Sequence, residues 1–537
     1  MNKIESMELY TQGVEVWNSW AAEMLAERTK LIETGEWMAE IDPLGKLWGS
    51  NLATEKWLDA VMSNFSGEVF KNEMNFINFV FPGDAKFTGT VFTREVRFNG
   101  TTFNGFTDFE TAVFRSYAGF GETKFLGLTS FYKAKFGFSG NFNGAEFSGG
   151  AEFSSATFGT AVFIGARFDS YAEFSKAMVN TGYFSQAVFN GEARFSKASF
   201  NGDAQFMGVK FNRSLHFDEA NFNSNVMFHG AMMADRASFD RAEFKGRTWF
   251  DQSLFKGNVV FDQAIFANLT SFFRVTFQKE SSFVAIEGRS LFTLEESVFF
   301  LVPDFAQAHF AEALRLDNSH FSAAPRESRR LWKRELRSTN TDLASRWRTL
   351  KRLALQGHDH ERELNFFAEE IKSLRGVKDW LLPNPLSFRK GSPVCWPGGG
   401  RYWAGLLYEW FSDFGRSALR PLLWWVTITS IFATYYFLHY SDLPSESPRT
   451  TPAFTCTGDP VAAALYLSIH NGLVISGLGR AEKLAQSYAC LYGREENSGF
   501  FPVMPDAVVF AGLIQTILSA ILIFLFLLAL RNYFRIK

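Results

Sequence analysis

Apolar and polar positions alternate along the chain with an unusual beat. From Phe65 to Phe283 a phenylalanine returns at fixed intervals: Phe65, Phe70, Phe76, Phe81, Phe87, Phe92, Phe98, Phe103, Phe109, Phe114 and Phe120. The gaps alternate five and six, so each eleven-residue unit holds two Phe. The beat slips to fives at Phe158, Phe163 and Phe168 and then resumes, with Val179 and Met233 standing where a large apolar group is due. Two residues before the Phe the chain often places Ala, as at Ala145, Ala151, Ala166, Ala193 and Ala242. Two after it often comes Gly, as at Gly67, Gly100, Gly144, Gly149, Gly202 and Gly246. In an extended segment residues i and i−2 share a face. Ala and Phe therefore point inward together, the residue between them points out, and the following polar or Gly residues turn the chain. Five residues are too few for a strand and hairpin, and a short fixed period predicts a solenoid.

This A-x-F-x-x pattern resembles the Phe-centred form of the pentapeptide-repeat family over roughly 64–321. The resemblance implies a right-handed quadrilateral β-helix, a pentapeptide-repeat solenoid with two units, 22 residues, per coil. That gives about 12 coils and a rod on the order of 55 Å at about 4.8 Å per coil. The left-handed hexapeptide helix of acyltransferases would need sixes throughout and aliphatic inward residues.

Flanking patterns differ. Residues 1–60 read as a helical cap: Val14, Trp17, Trp20, Ala21, Met24 and Leu25 recur at helical spacing. An open solenoid end exposes a strand edge and an apolar core, which a cap covers; partner binding by the Trp cluster is the other reading. The solenoid is expected over 61–322. Residues 325–377 read as a charged helical hairpin, with Leu331, Trp332, Leu336, Leu343, Trp347 and Leu350 striping a basic arm that also suits anionic lipid. His358, Asp359, His360 and Glu361 lie at its turn; their spacing fits a polar interhelix turn better than a metal-ligand motif. A Pro/Gly-rich loop and juxtamembrane segment follows at 378–415, with Gly398-Gly399-Gly400 inside it.

Residues 416–537 read as a membrane module with spans 421–440 and 507–530, each long enough for a bilayer. Arg416 and Arg420 precede the first, and Arg531, Arg535 and Lys537 follow the second. The positive-inside rule then places both termini in the cytoplasm and the 441–506 loop outside an inner or plasma membrane. An outside loop permits a disulfide between Cys456 and Cys490, while Cys395 reads as a free thiol. Residues 462–479 are apolar and read as re-entrant or interfacial. Span, apolar helix with a Gly-x-Gly end, span: this resembles the two-helix pore-loop channels, and the resemblance puts Ser476, Gly477, Leu478 and Gly479 in the place of the filter. Ile475-Ser476 stands where a potassium filter has Thr-Val, and Arg480 where Asp usually follows, so potassium selectivity is not implied.

Composition changes this picture little. The 63 Phe among 537 residues belong mostly to the solenoid, and the net charge of −2 carries no strong bias. Over 61–320 there are 23 basic and 27 acidic residues, far too few charges to imitate a DNA duplex with one charge per about 1.7 Å. No nucleic-acid partner is expected. Three Cys make no disulfide framework, and residues 1–8 lack the apolar core of a secretory signal. No catalytic constellation, phosphate loop, cofactor or metal site stands out. The sequence therefore predicts a non-enzymatic, membrane-anchored scaffold. It would present a cytoplasmic surface to a protein partner; the alternative is an oligomeric pore-loop channel regulated by its solenoid.

Overall fold

A computed structural model of the chain describes residues 1–41, 47–322, 341–374, 400–441, 459–473, 480–493, 502 and 504–536. The chain forms two compact units, one built on the repeats and one on the C-terminal helices.

The first unit is a parallel β-solenoid of about 12 turns. Each turn has four sides, named here by the first inward Phe of each: Phe65, Phe70, Phe76 and Phe81. Most strands are only two residues long and pair in parallel with the same side of the next turn, as Ala85-Lys86 does with Thr107-Asp108. The inward Phe stack face to face from turn to turn: Phe76–Phe98 at 4.7 Å, Phe109–Phe131 at 4.9 Å, Phe206–Phe228 at 4.9 Å. Neighbouring columns meet edge to face, as Phe87 and Phe98 do at 84°. Both arrangements suit the ring quadrupole. Buried hydroxyls at the corners are satisfied: Thr90, Thr101 and Thr123 donate to the carbonyls of Phe65, Phe76 and Phe98.

The slip in the beat has a local cause. The side-to-side step from the Phe70 side to the Phe76 side is normally six residues. At Phe158–Phe163 and Val179–Phe184 it is five, and there the two short strands fuse into Thr157–Val162 and Met178–Tyr183. The preceding turn, Lys135–Asn141, still has the extra residue; its pairing shifts register between Phe136 and Ser139, and Phe138 is thrown outward, 68% exposed.

The glycines divide into two kinds that look alike in sequence. Gly67, Gly100 and Gly144 hold φ near +66 to +69°, but Thr111, Lys133 and Glu219 adopt the same left-handed turn at equivalent corners, so Gly is a convenience there. Gly149 serves close approach instead: a Cβ on it would lie 2.4 Å from the backbone of Gly127 one turn below.

Three helices cover the first turn: α1 (Lys3–Thr11), α2 (Val14–Glu33) and α3 (Leu52–Val61). The N-terminal region was expected to be wholly helical. It also contains a small antiparallel pair, β1 (Ala39–Ile41) and β2 (Leu47–Gly49). The cap works by direct hydrogen bonding to the open edge. The Val80 N–H donates to the Asn18 side chain, the Trp17 indole donates to the Val80 carbonyl, and the N–H groups of Asn64 and Asn75 donate to Ser6 and Tyr10. Trp17 is fully buried against Phe65, Phe79 and Phe81. An edge that would otherwise template another strand is thereby satisfied.

The second unit contains α4 (Thr341–Gln356) up to Lys351, its last five residues being counted with the first unit, and α5 (His360–Leu374), α6 (Gly400–Ser412), α7 (Leu419–Ser441), α8 (Pro460–Gly472), α9 (Arg480–Tyr492) and α10 (Asp506–Ile536). α4 and α5 pair through the buried Glu370, which accepts from Arg348 at 2.8 Å and Lys351 at 2.6 Å. Asp359 caps α5 by accepting from the Arg362 N–H. α6 falls inside the segment expected as loop, and α9 inside the expected connection between spans. Two helices, α7 and α10, are long and apolar enough to cross a membrane.

Candidate functional site

The C-terminal helices are joined by polar side chains on otherwise apolar faces. Asp459 accepts from the Val461 N–H and Pro460 occupies the first turn, so α8 starts sharply. From there α8 runs between α7 and α10. Its Ser468 hydroxyl donates to the Thr429 carbonyl at 2.6 Å. Gln515 of α10 donates to both the carbonyl and the hydroxyl of Ser468, at 2.8 and 2.7 Å, and accepts from the Tyr436 hydroxyl at 2.9 Å. Asn471 donates to the same Tyr436 oxygen. The Trp425 indole donates to the Gly472 carbonyl at 3.0 Å, and Thr516 donates to the Asn471 carbonyl. Ser468, Tyr436 and Gln515 are fully buried. α9 closes the cluster with Tyr488 and Tyr492, the latter donating to the Tyr436 carbonyl.

The bonds tie α8 to both α7 and α10, and tie α7 to α10 and to α9. In an apolar surround a polar group without a partner is costly, so this network sets the position and rotation of α8. The lone Gln in an apolar run of α10 was the sequence signal for it: a polar residue in such a stretch is expected to be partnered. Sequence reading passed over Gln515, Tyr436 and Ser468 because none is charged and none sits in a motif.

At the other end of the bundle Asn532 donates to the Gly415 carbonyl. The turn there holds Asp413, Phe414 and Gly415 all at positive φ, with Phe414 fully buried. A non-Gly aromatic in that region is strained. The Asn532 bond and the Arg416–Asp413 pair at 2.7 Å help hold it.

The filter-like residues Ser476, Gly477, Leu478 and Gly479 lie outside the described residues; α8 ends just before them and α9 begins at Arg480. Cys490 is disulfide-bonded, while Cys456 and Cys395 lie outside the described residues. The His358–Glu361 turn uses its groups internally: His360 pairs with Glu363 and Asp359 with Arg362. Among the described residues no group of three His, Cys, Asp or Glu side chains is placed to hold a metal.

The solenoid's outward columns differ by side. On the Phe65 side Glu152, Glu173, Arg194, His216 and Ser238 stand in register, a mixed-charge ladder. Arg194 pairs with Glu192 and Glu173, and His216 with Glu192 and Asp218. The bond to Asp218 raises the His216 imidazole above its usual value, with Glu192 adding to the effect. Burial alone would raise Asp218, but bonds from His216 and Ser238 more than offset it and hold the carboxyl low. On the Phe76 side the register column reads Val162, Tyr183, Gln205, Met227, Trp249. Two residues further along come Ile164, Met207 and Phe273 in three of these turns and Ser185, His229 and Asp251 in the turns between. Over six turns this side therefore carries seven apolar or aromatic residues, interspersed with Ser185, Gln205, His229, Asp251 and Ser271.

A family profile described as pentapeptide repeats, nine copies, matches residues 131–178 and 184–232. The break between the two matched segments falls on the shortened corner at Val179–Tyr183. Neither the curated proteins nor the solved structures gave a match. Stacked Phe columns, parallel two-residue strands, four sides per turn and the profile agree: the solenoid of this chain is built of pentapeptide repeats.

Proposed function

We propose that this protein is a non-enzymatic scaffold held at a membrane by α7 and α10, with the solenoid displaying a protein-binding surface on the inner side. The observation that carries the reading is the grouping of Val162, Ile164, Tyr183, Met207, Met227, Trp249 and Phe273 on one side of a rigid rod. Aromatic and Met residues are enriched at the centres of interfaces. Photo-crosslinkers placed at Met207 and Met227 in the full chain, in native membranes, should capture a defined protein. Trp249→Ser should abolish that capture without changing the melting temperature. Crosslinks confined to lipid, or capture indifferent to Trp249→Ser, would defeat the reading.

A second reading has its own support. α8 packs against both long helices as a short helix held between two spans, and its last residue, Gly472, accepts from Trp425 towards the N-terminal end of α7. Under it, several copies would surround a conducting axis lined by Ser476–Gly479. Ion flux into liposomes, lost in Gly477→Asp, would favour the channel; a fluxless monomer would exclude it.

A further inference from the structure

At the foot of α7 lies an open surface cavity of about 460 Å³ lined by Trp410 of α6 and Arg420, Leu423, Trp424 and Thr427, with Trp410 and Leu423 more than half exposed. Its lining has one cation and no carboxylate. Trp410 and Trp424 meet edge to face at 5.1 Å, and Phe411 supports Trp424 at 5.2 Å, so the aromatic wall is braced from behind. Arg420 is placed rather than loose: its Nη1 donates to the Glu409 carbonyl at 3.2 Å. The nearest acid, Asp413, is taken by Arg416 at 2.7 Å and stands 4.0 Å from Arg420. A guanidinium has five donors, and one bond to a carbonyl leaves others for an anion. Above the cavity Leu423, Thr427, Ile431, Thr434 and Leu438 continue along one exposed face of α7 at helical spacing.

We propose that this cavity binds one anionic membrane phospholipid, its phosphate on Arg420, its glycerol region against Trp410 and Trp424, and an acyl chain along Leu423, Thr427 and Ile431. The inference rests on the membrane-anchor reading. The occupant follows from the chemistry: a planar fork of donors suits a phosphate, Trp side chains suit the interfacial layer, and the apolar strip leaves the cavity along a helix long enough to cross a bilayer. A soluble phosphate would use the Arg alone and leave the aromatic wall and the strip without a role. A zwitterionic lipid carries its own cation beside the phosphate, which lowers the net attraction to Arg420.

The test uses the purified full chain in mild detergent and native mass spectrometry, titrated separately with phosphatidylglycerol, phosphatidylcholine and inorganic phosphate. One phosphatidylglycerol should be retained per chain, about tenfold more tightly than phosphatidylcholine, the scale of one charge-assisted bond. Excess inorganic phosphate should not displace it. Arg420→Gln should remove the preference. Thr427→Trp keeps the charge but fills the cavity and should lose the bound lipid, so the two variants separate charge from space; each is checked for an unchanged melting temperature. Equal retention of the two lipids, displacement by inorganic phosphate, or an unaltered Thr427→Trp would overturn the site. Flotation with phosphatidylcholine vesicles after alkaline washing reads the anchor separately. A chain that floats without lipid preference overturns the site alone, and one that fails to float overturns the anchor with it.

Discussion

The two units solve the problem of specifying a core in opposite ways. The solenoid repeats one apolar device turn after turn, so that Phe206 sits between Phe184 and Phe228 at 4.9 Å on either side, in a setting shared by the interior rings of its column. The helical unit uses each polar device once. Gln515 bonds Tyr436 and Ser468, and no second Gln does the same elsewhere among its described residues. Water drives the first kind of core, because burying a Phe removes a large apolar area from solvent. Between apolar helices in lipid that drive is absent, and packing with a few hydrogen bonds must fix the arrangement. A repeated core tolerates a local slip, as at the two shortened corners. A core built from unique bonds has no such reserve.

The largest expected effect is therefore in the solenoid. Phe206→Ala should destabilise it by about 3–5 kcal/mol, read from the urea unfolding midpoint of the intact chain by the β signal. An unchanged midpoint would break the account of the stacked core. The next effect sharpens the division among glycines. Gly149→Ala sets a methyl against the Gly127 backbone and should cost about 1–3 kcal/mol. Gly144→Ala meets only Glu122 Cγ at 3.6 Å and should cost about 1 kcal/mol from its positive φ. Equal costs would show that both are turn glycines after all.

The helical unit should respond on a smaller scale but more specifically. Gln515→Leu removes the link among α7, α8 and α10 and should cost about 1–2 kcal/mol in detergent unfolding. It should also raise the accessibility of a cysteine introduced at Ser468, measured by the rate of alkylation. No change in that rate would show that the network does not hold α8.

The contrast also explains what could be read from the chain. The solenoid was legible because its information is periodic: any one Phe is ambiguous, but dozens in phase are not. Its side-by-side detail was less so. The fives at Phe158–Phe168 read as a slip, and only the fused strand Thr157–Val162 shows that a single corner lost a residue. Gly67 and Gly149 both follow a Phe by two, yet one is a left-handed turn and the other a close approach, because alternate sides turn differently. In the helical unit the spans were legible from length and apolarity. α9 was not, since Arg480, Glu482 and Lys483 break its apolar pattern and its buried face is the short run Tyr488, Leu491, Tyr492. The network was invisible because hydrogen-bond partners far apart in sequence, such as Tyr436 and Gln515, leave no spacing to recognise.

The smallest effect concerns the solenoid's exterior, where repetition also builds polar contacts. His216 lies between Glu192 at 3.1 Å and Asp218 at 3.3 Å, with Arg194 opposing them. Its folded pKa is raised above 6.5, so the folded state binds the proton more tightly than the unfolded chain. The stability this confers is complete below about 6.5 and is lost as pH rises through the higher folded value. Asp218 works in the other direction: lowered from 3.8, it stabilises above that value and its contribution disappears as pH falls through the folded pKa. Between those limits both contributions stand, so the wild-type melting temperature should decline gently from pH 6 towards alkaline pH. His216→Gln keeps a donor for Asp218 but cannot take up a proton, and should flatten that decline while leaving the acid limb in place. The ladder is half exposed and screened, so the change is expected to be small beside any core substitution. An unaltered alkaline slope in His216→Gln would assign it to another group and leave the exterior ladder as surface chemistry with no share in stability.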